Sequence, residues 1–324
     1  MNREWKQVLA AMILGVILPA LMLSVGGAGQ TVQLPDPTEA PTVQPTEGRQ
    51  TVYIPVQMDG GTVRIMELEE YTLGVVLAEM PASFEMEALK AQAVVARTYA
   101  LRRLELEDRH GAFAICTDST CCQAYISEEA YLQDLGNAPD IAKASQAVQE
   151  TAGQVLTYGG ELAEATYFSC SGGRTEDAAA VWGEDIAYLQ AVDSTGEENA
   201  ESYSGTVHFT AEEFCAALGR ELEGSPDSWL GKVSYTDGNG VDMMFVGGIS
   251  YPGIQLRQLL GLNSTAFTMT AENGGITVTT RGKGHRVGMS QYGADAMAVS
   301  GSSCEEILSH YYPGTEIDKM EDIE

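Results

Sequence analysis

The chain of 324 residues carries 46 acidic against 18 basic side chains, a formal net charge of -28 with a pI near 4.3. That charge repels polyanions, so an electrostatic grip on nucleic acid is excluded. Apolar residues at 44% and charged residues at only 20% exclude the disordered class for most of the chain, and the length allows one large or two ordinary domains at roughly 100 to 200 residues each.

Residues 1 to 29 read as a cytoplasmic N-terminus followed by one transmembrane helix. Arg3 and Lys6 precede an apolar run from Val8 to Val25 that only Pro19 and Ser24 interrupt. Such a run is near the lower limit of about 17 residues for a spanning helix, and the leading cations favour an inside N-terminus. The small residues Ser24 to Ala28 leave a cleavable signal peptide open as the alternative. Both readings place the rest of the chain outside the cytoplasm, with the retained anchor making it a single-pass protein of the cell membrane. Residues 30 to 50, with Pro35, Pro37, Pro41 and Pro45 among Thr and Gln, form a semi-rigid linker of polyproline character.

Residues 51 to 324 hold the folded domain. Two β-rich runs, TVYIPVQ and TVRIMEL, flank Gly60-Gly61 and predict a hairpin. Residues 68 to 104 predict two helices broken at Pro81. In the second, Leu89, Ala93, Ala96 and Ala100 share one face, with Ser83 as N-cap and Glu85 and Glu87 in the first turn. A helix over 138 to 150 precedes strands at 154 to 158 and 165 to 169, and Thr210 caps a helix running to Leu218. Strands over 233 to 246 and 267 to 280 turn at Asp237-Gly238-Asn239-Gly240 and Asn273-Gly274-Gly275. No even βαβ rhythm or repeat is present, so the expected class is α+β, with mixed helices and antiparallel strands around a substrate cleft.

Three islands could carry chemistry. Glu79 lies between an apolar helical run and Pro81, beside Val75, Val76 and Met80. A carboxyl in apolar surroundings keeps its proton to higher pH, as a general acid requires; the bland alternative is a solvated helix end. The second island, His110, Cys116, Cys121 and Cys122, puts four soft ligands within thirteen residues. Clustered thiolates suit zinc better than a short-range disulfide framework, and four protein ligands make the ion structural; buried thiols with a surface histidine are the alternative. The third island is split between Ser169–Glu176 and Gly284–Ala294, where glycines lie among hydroxyl and amide groups able to bond sugars. Loops whose glycines merely permit positive φ are equally consistent with it.

These islands in this order, with LLGLNSTAF at 259 to 267 and YYPGT at 311 to 315, resemble the stage II sporulation protein D family from about Val52 to Thr315. The resemblance implies a membrane-bound lytic transglycosylase of sporulation engulfment. Such an enzyme cuts the MurNAc-GlcNAc bond of peptide-stripped peptidoglycan and leaves 1,6-anhydroMurNAc ends. It implies a sporulation amidase/endopeptidase and a membrane scaffold as partners. The family's catalytic glutamate falls on Glu79 and its clostridial zinc site on His110, Cys116, Cys121 and Cys122, although a histidine is expected where Cys121 stands. Ser171, Thr175, His285, Ser290, Gln291 and Tyr292 become the implied glycan contacts, with Lys90 and Arg97 near the same cleft. The alternative function is a non-catalytic glycan-binding module that enhances a cell-wall amidase.

Overall fold

Alternating apolar and polar side chains fold strands β1 (Tyr53–Gln57) and β2 (Val63–Glu67) into the expected antiparallel hairpin. The computed structural model describes residues 51–106 and 115–322. No helix among these is long and apolar enough to cross a membrane, and the expected anchor over residues 8 to 25 lies outside them.

Helix α1 (Leu68–Glu79) follows β2 directly, and α2 (Met86–Glu105) begins after Pro81. Leu89, Ala93, Ala96 and Ala100 are buried as expected, but so are Ala88, Ala91, Val94 and Val95. An α-helix apolar on several sides belongs in the centre of a fold. Ser83 is not its N-cap. The helix starts at Met86, and Asp295 accepts from the Glu85 N–H at 2.7 Å, so a distant carboxylate replaces the local cap. Strand β3 (Ile115–Cys116) adds parallel to β1.

Then come α3 (Glu128–Asp134), α4 (Ala138–Glu150), β4 (Gln154–Tyr158), β5 (Glu161–Leu162), the very short β6 (Tyr167–Phe168) and α5 (Ala178–Trp182). Helix α4 and β4 fall on their predicted bounds, whereas the strand expected over 165 to 169 shrinks to two residues. Strand β7 (Ser204–Thr210) leads into α6 (Ala211–Leu218), where Thr210 and Glu213 form a reciprocal capping box. The predicted 233 to 246 segment is a hairpin of β8 (Leu230–Tyr235) and β9 (Val241–Val246), extended by β10 (Ile249–Pro252) and closed by α7 (Gly253–Leu259). Strands β11 (Phe267–Glu272) and β12 (Gly275–Arg281), the short β13 (Met289–Ser290), α8 (Gln291–Val299), α9 (Cys304–Tyr311) and β14 (Glu316–Lys319) complete the order.

The sheets are small and mainly antiparallel: β2-β1-β3, β14-β4-β5, β10-β9-β8 and β11-β12-β7, with β6 and β13 paired in parallel. Helix α2 packs on α1, α4, α8 and α9 and forms the axis of the main core. A second core gathers Phe214, Trp229, Val246, Leu256, Phe267 and Ile276 between α6, α7 and the later sheets. The α+β expectation holds, and the helical part carries the site.

Candidate active site

Glu79 is the last residue of α1, and Met80 leaves the helix in extended conformation. Its carboxyl therefore projects from a helix end rather than a helix face. The segment after β3 folds over it. Asp118 Oδ1 accepts from the Thr120 N–H and hydroxyl at 2.8 and 2.7 Å, and the Asp118 carbonyl accepts from the Cys121 and Cys122 N–H groups at 3.0 and 2.8 Å. This side-chain-stabilised turn sends the chain back across α1. There the Ala124 N–H donates to Glu79 Oε1 at 2.8 Å and the Ile126 N–H to the Gly74 carbonyl at 3.1 Å. Gly74 is what permits the close approach, because a Cβ there would stand 2.2 Å from Tyr125 Cε2.

Glu79 lines two adjoining clefts. The larger, about 730 Å³, is walled by Tyr99, Arg103, Cys121, Cys122, Glu164, Tyr167, Trp182, Lys283, His285 and Gln291, among others. The smaller, about 370 Å³, is walled by Met80, Phe84, Tyr131 and Tyr292, and it shares Glu79, Ser169 and Gln291 with the first. The carboxyl is thus half-buried at the junction of a groove that continues on both sides of it.

Burial raises the Glu79 pKa from its ordinary value, against the pull of the Ala124 N–H and, more weakly, of Gln291 and Tyr167. The Gln291 amide nitrogen and the Tyr167 hydroxyl are buried and face this carboxyl without reaching full hydrogen-bond geometry. Burial thus shifts the balance toward the protonated form, while one N–H is already in place to receive the ionised form. Nearby Glu164 is tied to Arg103, whose guanidinium lies 4.7 Å over the Tyr99 ring.

His285 stands on the same wall with Phe168 edge-on at 5.7 Å and Trp182 at 5.5 Å. Burial, and then the charge of Arg257, lowers its pKa to about 4, and its Nδ1 accepts from the Val287 N–H at 3.1 Å. The ring is neutral at pH 7 and too weakly basic for a general base.

The two glycine-rich segments do meet. Strand β13 pairs with β6, Cys170 bridges to Lys283, and Glu176 bridges to Val287. Buried Arg286 fastens them, donating to the carbonyls of Ser171, Arg174 and Gly238 at 2.9, 2.7 and 2.6 Å. Of the expected contacts, Gln291 and His285 line the larger cleft and Tyr292 the smaller, where it packs edge-on to Phe84 at 5.0 Å. Ser171, Thr175 and Ser290 line neither.

All three are buried, and their hydroxyls are used internally. Ser171 bonds Glu197 at 3.0 Å, Thr175 accepts from the Val192 N–H at 2.7 Å, and Ser290 caps α8 through the Gly293 N–H at 3.2 Å. Lys90 and Arg97 are likewise withdrawn. Lys90 bonds Glu87 and Glu150 at 2.8 and 2.6 Å, and fully buried Arg97 bonds Glu69 at 2.6 Å. Tyr167, Tyr99 and Trp182 escaped sequence reasoning, since only tertiary pairing brings them to Glu79.

The sulfurs of Cys116, Cys121 and Cys122 lie within 4.8 Å of one another. A tetrahedral zinc with bonds near 2.3 Å separates thiolates by about 3.8 Å, so the cluster fits that ion with little movement. His110 lies outside the described residues. Burial is the main cause that pushes the Cys122 thiol up to about 12.

An α+β domain with a carboxyl of raised pKa at the junction of two adjoining clefts is the class that fold and geometry define. A family model described as "Stage II sporulation protein" matches residues 57–158. The stage II sporulation protein D of Bacillus subtilis (strain 168) is 39% identical over 307 residues, spanning 91% of this chain and 88% of that protein. Its counterpart from Bacillus amyloliquefaciens is 37% identical over 87% of this chain and 83% of its own length. The amidase enhancer of B. subtilis (strain 168) is 29% identical over 75% of this chain but 39% of its own length. The chain belongs to the stage II sporulation protein D family and is a sporulation protein.

Proposed function

We propose that the protein is a lytic transglycosylase acting on peptide-stripped peptidoglycan strands, with Glu79 as both acid and base. The observation that carries this reading is the burial-raised Glu79 carboxyl at the junction of two open clefts. A glycan lying along both would cross Glu79 at a glycosidic oxygen.

The neutral carboxyl donates its proton to the oxygen linking N-acetylmuramic acid to N-acetylglucosamine as the C1–O bond lengthens toward an oxocarbenium-like state. The ionised carboxylate is then stabilised by the Ala124 N–H. It next takes the proton of the muramoyl C6 hydroxyl while that oxygen closes on C1. The carboxyl is neutral again, the departing strand has its hydroxyl, and the new end is a 1,6-anhydro sugar formed without water. Glycoside hydrolysis commonly uses a second carboxyl; on the larger cleft Glu164 is ion-paired with Arg103 and Glu184 is exposed, whereas the anhydro route needs Glu79 alone. His285, Gln291, Tyr292, Tyr99 and Trp182 form the walls that orient the sugars.

Zinc belongs to the same proposal, held by Cys116, Cys121 and Cys122, with His110 as the fourth ligand. Four protein ligands leave no position for water, so its contribution is to cross-link the segment that carries Ala124. The amidase/endopeptidase that strips the strands, a membrane scaffold, and an anchor in residues 1 to 29 that holds the domain outside the cytoplasm complete it.

The likeness to an amidase enhancer favours a second reading, in which the groove binds glycan without cutting it. Mass spectrometry of peptide-free strands incubated with the purified protein separates the two. Anhydro ends, lighter than hydrolysed ends by one water, support the transglycosylase. Reducing ends would make it a hydrolase, and uncut strands would leave the binding module.

A further inference from the structure

Among the described residues, the larger cleft holds a cation that the protein leaves without a partner. Lys283 stands on its wall beside Gly284 and His285 and is exposed, and its ammonium makes no hydrogen bond or ion pair. The other charges nearby differ. Arg103 is bound to Glu164, and His285, with its pKa near 4, is uncharged at pH 7. Elsewhere in this acid-rich chain, Lys90 bonds two carboxylates and Lys143 two carbonyls.

The base of Lys283 is fixed although its tip is free. Its N–H donates to the Cys170 carbonyl at 2.7 Å, and its carbonyl accepts from the Cys170 N–H at 3.3 Å. Cys170 is itself fully buried, with its thiol on Glu197 at 3.0 Å. A hydrogen-bonded backbone therefore presents an exposed ammonium to the groove. Glu184 is exposed on the same cleft, so an anionic ligand gains from seating its charge toward Lys283 and away from Glu184.

Muramic acid supplies such an anion in only one state. While a stem peptide is attached, the lactyl group is an uncharged amide; cleavage of that amide leaves a carboxylate on every muramic residue. We propose that Lys283 is a specificity-determining residue that pairs with the free lactyl carboxylate, so that the groove distinguishes stripped from substituted strands by charge as well as by bulk. The inference rests on the proposed function and names the feature of the substrate that the groove reads.

The test uses two strand preparations of equal length. One has free lactyl carboxylates, and the other has the same carboxylates converted to methylamides, which removes the charge with little added bulk. Calorimetric binding is measured in a Glu79→Gln background, which prevents cleavage, for the parent lysine, Lys283→Ala and Lys283→Arg. The parent should bind free-acid strands about two- to fivefold more tightly, the range of an exposed ion pair, and the preference should shrink with added salt. Lys283→Ala should abolish it while leaving affinity for methylamide strands unchanged, and Lys283→Arg should retain it.

The inference is overturned if the parent shows no preference, if Lys283→Ala keeps it, or if that variant weakens both strands equally. Binding is read without turnover, so its failure is separate from that of the reaction. If the reaction is wrong, no anhydro ends form, whatever the preference; if Lys283 is wrong, they form while the preference is absent or persists in the variant.

Discussion

Replacing Glu197 by alanine should destabilise the domain severely although Glu197 touches no part of the groove. Its side chain is nearly inaccessible and accepts from the Ser171 and Gly172 N–H groups at 2.7 and 3.1 Å, the Ser171 hydroxyl at 3.0 Å, the Cys170 thiol at 3.0 Å and the Ser194 hydroxyl. Hydroxyls can rotate to other acceptors, and Ser194 keeps Tyr311 at 2.6 Å; the two backbone groups cannot. Each stranded N–H costs about 1–3 kcal/mol, and relief of the buried carboxylate's own desolvation offsets part of that, leaving a net loss of about 2–4 kcal/mol. Ser171→Ala deletes a donor to Glu197 and the acceptor of the Gly173 N–H at 2.9 Å and should cost about 1–3 kcal/mol with no change in KM for glycan. Equilibrium urea unfolding of residues 51 to 324 reads both. A Glu197→Ala midpoint equal to the parent's would refute the hydrogen-bond account. A raised KM in Ser171→Ala would restore Ser171 to the groove.

Two further outcomes follow from the titrating groups. Because His285 is neutral in the fold down to about pH 4 while an exposed histidine protonates near 6.5, the unfolded chain binds the extra proton between those values. The stabilisation is whole above pH 6.5 and is lost as pH falls toward 4; the difference between parent and His285→Gln stability curves should slope only in that window, and parallel curves would contradict it. The purified protein should contain about one zinc per chain if the proposed site of three cysteines and His110 holds the ion, with Cys122→Ser lowering that content and chelation lowering Tm. Glycan cleavage should then be lost only together with structure, whereas its loss in a chelated but folded protein would assign the metal a chemical role.

Local signals account for what was legible in the amino-acid order. Gly60-Gly61, the Thr210 cap and the Asn273 turn each act within a few residues, and the elements they bound appear where expected. The Ser303 and Glu306 capping box of α9 is equally local and was readable, though sequence reasoning passed over it. The start of α2 was not, because its cap comes from Asp295, 210 residues away in the chain. The same division runs through the site. Glu79 at a helix end before proline was visible, but Ala124, Tyr167 and Gln291 reach it from three other segments. The hydroxyls of Ser171 and Thr175 resembled sugar contacts because they neighbour glycines; tertiary partners at Glu197 and Val192 claim them instead.

In the proposed reaction one half-buried acid both gives and retakes a proton. Glu79→Gln keeps an oxygen for the Ala124 N–H and removes the acidic, transferable proton, so it should unfold at an unchanged or higher temperature, bind peptide-free strands, and release no 1,6-anhydro ends in mass spectrometry. Anhydro ends released by that variant at the parent's rate would contradict the account.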